Sequence, residues 1–161
     1  MQTNLAPEFQ GTADGLAKQP YTREGRRIVP EFRLVEQQVG VEARPGATSA
    51  EYFHDAVGIA AYRLNIHPTP VRDTSDMDCF PYQIPLGMLI PKRTDNFIAG
   101  CCKNVGGARV TTGSLRHHPI DWVIGEAAGG LAAALSTAPG ASVVASQASS
   151  RAAASRSEEH T

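Results

Sequence analysis

The sequence predicts a mixed α/β fold, α+β if the chain is taken alone. Three observations carry that prediction. Four short runs, at 28–35, 56–66, 82–90 and 96–100, alternate in polarity or are rich in β-branched and small apolar residues, which is the pattern of strands. One run, 119–135, is apolar nearly all round at helical spacing. The length, 161 residues, suits one domain, or one part of a larger one, with enough chain to bury a core.

Each element follows from its residues. Segment 1–27 is loop-rich, punctuated by Gly11, Gly15, Pro20 and Gly25. Its mixed-charge cluster Arg23-Glu24-Gly25-Arg26-Arg27 reads either as a solvated loop or as a set of anchors for a polar ligand or neighbouring domain. In 28–35, Ile28, Pro30, Phe32 and Leu34 alternate with Val29, Glu31, Arg33 and Val35, and Pro30 suits an edge strand. Run 56–66 reads as one strand, stopped by His67-Pro68-Thr69-Pro70 because proline lacks the ladder donor. Run 82–90 reads as extended, broken by Pro85 and Gly87 and closed by Pro91. Asn96-Phe97-Ile98-Ala99-Gly100 reads as a strand running into a functional loop, and 101–118 as that loop, with Gly106, Gly107 and Gly113.

The helix 119–135 opens on Pro119, whose missing N–H is no loss at the first helical position. Asp121 lies in the first turn, where the helix dipole favours an anion. Its apolar residues predict burial on all sides, and Gly125, Gly129 and Gly130 predict close backbone approach. The chain offers few amphipathic helices to cover it. From 136 onward, 14 of 26 residues are Ser or Ala, too little apolar surface to offset the entropy of ordering, so 136–161 is expected to be a disordered tail.

Charge narrows the function classes. Fifteen Lys+Arg against 16 Asp+Glu leave a net charge of −1, which argues against a nucleic-acid binder or a polybasic membrane-surface protein. No run reaches the length of a membrane span, and the first ten residues lack the features of a secretory leader. Three cysteines make no disulfide framework. A cytoplasmic protein is expected.

Chemistry concentrates where the glycine-rich loop meets the helix. Thr111-Thr112-Gly113-Ser114-Leu115-Arg116-His117-His118 brings hydroxyls, a guanidinium and two imidazoles to a helix N-terminus, whose unpaired N–H groups suit phosphate or a polarised carbonyl. The alternative is a polar connection with capping hydroxyls. Cys101-Cys102 and His117-His118 supply metal-ligand types, but adjacent cysteines rarely chelate one tetrahedral ion and no Cys-x-x-Cys occurs, so no metal is expected. Cys79 and Cys102 read as ordinary buried thiols, with a Cys–His nucleophile as the other option. Neither Gly-x-Gly-x-x-Gly nor Gly-x-x-x-x-Gly-Lys-Ser/Thr occurs.

Several blocks together resemble a family of FAD-dependent oxidoreductases. They are Pro20-Tyr21-Thr22-Arg23-Glu24-Gly25-Arg26-Arg27-Ile28; Asp55-Ala56-Val57-Gly58-Ile59 with Ile66-His67-Pro68; the stretch from Tyr82 to Pro91; and Asp95-Asn96-Phe97-Ile98-Ala99-Gly100. The closest block is Lys103-Asn104-Val105-Gly106, Thr112-Gly113, Arg116, His118-Pro119 and Trp122 through Gly129. The resemblance spans 11–135 in order. Val110-Thr111 and the Cys101-Cys102 doublet depart from the family pattern.

The resemblance implies FAD as cofactor and a two-part fold. A substrate-side β region would span 28–95; the final strand, flavin loop and buried helix of a Rossmann-like FAD domain would span 96–135, with an unrelated tail after it. The family's N-terminal Rossmann fingerprint is absent from the sequence, so the chain is expected to be a C-terminal portion, inactive alone. A chain supplying the Rossmann half and a small organic or sugar-like substrate are the expected partners. Carried over by position, Gly100, Lys103, Asn104, Gly106, Thr112, Gly113 and Arg116 would bind the cofactor. Arg116 or the helix N-terminus would stabilise negative charge on the reduced ring and His118 would accept a proton. The competing reading is a non-catalytic fragment or interaction module that does not bind FAD.

Overall fold

The computed structural model describes residues 26–67 and 75–137, together with Gly11, Ala13 and Gly15. Most of the loop-rich segment 1–27, and the expected tail from 138 onward, lie outside the described residues. The elements are α1 (Glu36–Val39), β1 (Ala56–Ala60), β2 (Leu64–Ile66), β3 (Ser75–Met77), β4 (Tyr82–Pro85), a 3₁₀ turn (Leu86–Met88), α2 (Arg109–Leu115) and α3 (His118–Thr137). This is the mixed α/β composition expected. Among the described residues no helix is long and apolar enough to cross a membrane.

Two small antiparallel sheets organise the chain. β1 pairs with β4, with Ile59 opposite Gln83 and Ala60 opposite Tyr82, and a bulge falls between Ala56 and Gly58. β2 pairs with β3, with Asn65 opposite Asp76. Arg63 bridges Asp76 and Asp78 on the solvent side of that hairpin. The core gathers Leu34, Leu64, Tyr82, Ile84, Leu115 and Ile124, all essentially inaccessible to solvent.

The helix α3 packs across β1. Gly58 permits this contact, because a Cβ there would stand 2.1 Å from Val123 Cγ1. Ile120, Ile124 and Ala128, four residues apart, form the buried stripe. The expectation of burial all round is thus corrected: one face meets β1 and the Gly100 loop, while Trp122 is 76% exposed. Close backbone approach is found at Gly125, beside the Gly100 carbonyl at 3.6 Å; Gly129 and Gly130 meet no described atom within 4 Å.

Four other local expectations are corrected. Run 28–35 forms isolated bridges, Pro30 to Pro91 and Leu34 to Gly107, in place of a strand, since its hydrogen bonds go to separate loops. Run 56–66 is two strands in different sheets, separated at Ala61-Tyr62-Arg63. In 82–90 only Tyr82–Pro85 is strand, because the chain tightens into the 3₁₀ turn after Pro85. Segment 96–100 is assigned no strand: Asn96 takes a left-handed turn conformation (φ 53°), and the Ala99 N–H bonds to the Leu89 carbonyl in an irregular segment, so no ladder forms.

Candidate functional site

The glycine loop is fastened on both sides by backbone hydrogen bonds. Asn104 N and Val105 N both donate to the Cys101 carbonyl, closing a turn. Ile28 N donates to Asn104 O, Leu34 N to Gly106 O, and Gly106 N to Met88 O. Gly106 is buried against Pro30, where a Cβ would stand 2.1 Å from the ring. This close approach explains the glycine.

Segment 101–118 also contains a helix that the sequence concealed. α2 begins after Ala108, whose N–H donates to the Leu34 carbonyl. Thr112 Oγ1 donates to Ala108 O at 2.9 Å and accepts from Arg27 Nη1 at 3.3 Å. Thr111 Oγ1 lies 3.0 Å from Ala108 O and 3.2 Å from Leu34 O. Ser114 Oγ accepts from the Tyr82 hydroxyl at 2.9 Å in the core. The three hydroxyls are therefore engaged within the fold.

The named residues fall into three places. Gly113 and Arg116 lie against β2: Arg116 Nε donates to Gly113 O at 3.3 Å, and Nη2 lies 3.2 Å from Asn65 O and 3.1 Å from Asn65 Oδ1. Gly106 and Gly107 line a cleft of about 340 Å³ together with Arg27, Pro30 and Arg33, and Arg27 ties this cleft to Thr112. Gly100 is exposed beside Ala128 of α3, and His118 is exposed at the first residue of that helix. Lys103 is half-buried in the loop. Asn104 holds the loop through its backbone, while its buried Oδ1 accepts no hydrogen bond among the described residues.

Helix α3 starts at His118, one residue before Pro119, and the His117 carbonyl accepts from Ile120 and Asp121 N–H. The His117 ring stacks on Tyr62 with centroids 4.5 Å apart. Asp121, placed in the first turn as the sequence suggests, does more than complement the dipole: its Oδ1 accepts the Cys102 N–H at 2.7 Å. Cys102 is 1% exposed, and burial, reinforced by the Asp121 carboxylate, pushes its thiol well above the ordinary range. Such a thiol is held protonated and does not support a cysteine nucleophile. Cys79 is half-buried and its thiol donates to Tyr62 O at 2.9 Å.

A family model described as FAD dependent oxidoreductase matches residues 3–147. The chain belongs to the FAD-dependent oxidoreductase family. No curated protein and no solved structure matches it. The match runs through Gln147. Membership makes FAD the family cofactor. For a member of this family, the Arg27–Arg33 cleft offers cationic groups suited to a phosphate, and Asn104 Oδ1 is an acceptor in need of a donor. Those features fit an anionic, donor-bearing cofactor. Arg27 and Arg33 at the cleft, and Asn65 beside Arg116, are positions that the sequence did not single out or left open. Arg27 was visible only as part of a charge cluster, and Arg33 and Asn65 gave no local signal.

Proposed function

We propose that this chain forms the C-terminal, flavin-facing part of an FAD-dependent oxidoreductase that takes hydride or electrons from a small organic or sugar-like substrate. The observation that carries the reading is the cleft where Arg27 and Arg33 flank the Gly106-Gly107 backbone, within a chain that matches the family model. When bound, FAD supplies the two-electron acceptor. The chain's own residues hold and orient it. Arg27 and Arg33 neutralise phosphate, and the Asn104 side chain accepts a hydrogen bond. His118, exposed at the start of α3, takes the substrate proton.

Arg116 has a narrower role in this proposal. Its contacts with Asn65 and Gly113 make it a clamp between α2 and β2, positioning the junction that leads into α3 at His118. The pyrophosphate-binding glycine turn does not occur in the sequence, so a Rossmann-like segment on another chain or region is proposed to complete the site. The exposed Trp122 and the open glycine face of α3 are suited to receive it.

A titration of the full chain with FAD, followed by flavin fluorescence, tests the reading. Weak, saturable quenching is expected, with Arg27→Ala and Arg33→Ala each weakening it about tenfold or more, the loss of a charged hydrogen bond. Equal affinity in the wild type and both variants, or no saturable change, would overturn it.

A further inference from the structure

The flavin reading gives the Cys101-Cys102 doublet no task. In the fold it meets a third donor. Cys101 Sγ, Cys102 Sγ and a carboxylate oxygen of Asp121 lie within 4.8 Å of one another. The turn closed on the Cys101 carbonyl brings two neighbouring side chains to one spot. Asp121 is fixed there by the Cys102 N–H, and a carboxylate bound through one oxygen keeps capacity for a second partner.

We propose that Cys101, Cys102 and Asp121 bind a thiophilic divalent cation of the zinc class, with solvent as the fourth ligand. The donor set decides the class: two sulfurs and one carboxylate oxygen suit zinc over magnesium or calcium, which take oxygen shells. Metal–sulfur bonds of about 2.3 Å place tetrahedral donors about 3.8 Å apart. Closing the observed arrangement on an ion therefore takes no more than about an ångström of side-chain movement. Binding releases both thiol protons to solvent, and the cation offsets the charge of the two thiolates so formed and of the carboxylate. Cys101 and Asp121 are half-buried, which leaves an access path and room for the solvent ligand. Adjacent cysteines alone rarely chelate one tetrahedral ion; the fold adds Asp121 as a third donor.

The test is a cobalt titration of the full chain, stripped with chelator and kept reduced and anaerobic. One equivalent of Co²⁺ is expected to raise thiolate-to-cobalt charge-transfer absorption, and Zn²⁺ is expected to bleach it. Cys101→Ser should weaken binding on the order of 100-fold or more, beyond the loss typical of an outer-sphere change. Asp121→Asn keeps the acceptor for Cys102 N–H, so the loop stays in place; it should weaken binding while retaining a thiolate band. No charge-transfer band, or a band unchanged in Cys101→Ser, would overturn the proposal. The readout needs no flavin, so it stands apart from the reading above.

Discussion

Gly113 of α2 lies directly against the backbone of Asn65 in β2: a Cβ on Gly113 would stand 2.5 Å from the Asn65 carbonyl oxygen. The same carbonyl accepts from Arg116, one turn further on. The helix and strand thus meet backbone to backbone, and Arg116 secures the contact.

Two glycine substitutions should therefore act with opposite sign. Helix propensity alone favours Gly→Ala by up to about 1 kcal/mol. At Gly113 the clash with fixed backbone outweighs it, and Gly113→Ala should destabilise by about 1–3 kcal/mol. At Gly129, exposed in α3 with nothing within 4 Å, Gly129→Ala should stabilise by about 0.5–1 kcal/mol. Urea midpoints of the two variants check this; an unchanged or raised midpoint for Gly113→Ala would refute the packing account of Gly113.

Stability should fall in alkali. Burial raises the Tyr82 phenol above its ordinary 10.0 and the Cys102 thiol above its ordinary 9.0. The folded chain keeps both protons where the unfolded chain has released them. Stability is therefore fully present below about pH 9 and declines as pH rises beyond it. Thermal melts from about pH 8 to about pH 11 should show falling Tm, with a shallower slope above about pH 10 in Tyr82→Phe. An unchanged slope in that variant would remove Tyr82 from the explanation.

Trp122 is exposed on α3 and makes no contribution to the buried stripe. Trp122→Glu should change stability by no more than about 0.5 kcal/mol. Urea midpoints check this: a loss of about 2 kcal/mol or more would show that Trp122 packs within the fold.

What the sequence revealed depended on range. α3 was legible because Pro119, Asp121 and the Ile120–Ile124–Ala128 spacing are local signals. α2 was not, because Thr111-Thr112-Gly113 has poor helix propensity; the helix exists through contacts with Leu34 and Asn65, far away in the chain. The break between β1 and β2 carries no glycine or proline, so the two strands read as one. Cys102 and Asp121 were each noticed for local reasons, but nothing nearby in sequence joins them. The Arg27–Thr112 bond spans 85 positions and has no sequence signature, although both residues lay in segments that resemble the family.

The most direct measurement is the visible spectrum of the full chain incubated with FAD and then desalted. The proposed site predicts that the flavin bands are lost, because Arg27, Arg33 and the glycine loop would hold the cofactor only weakly without a pyrophosphate-binding turn. Stoichiometric flavin absorption surviving desalting would contradict it, and would mean that this chain builds a complete FAD site of its own.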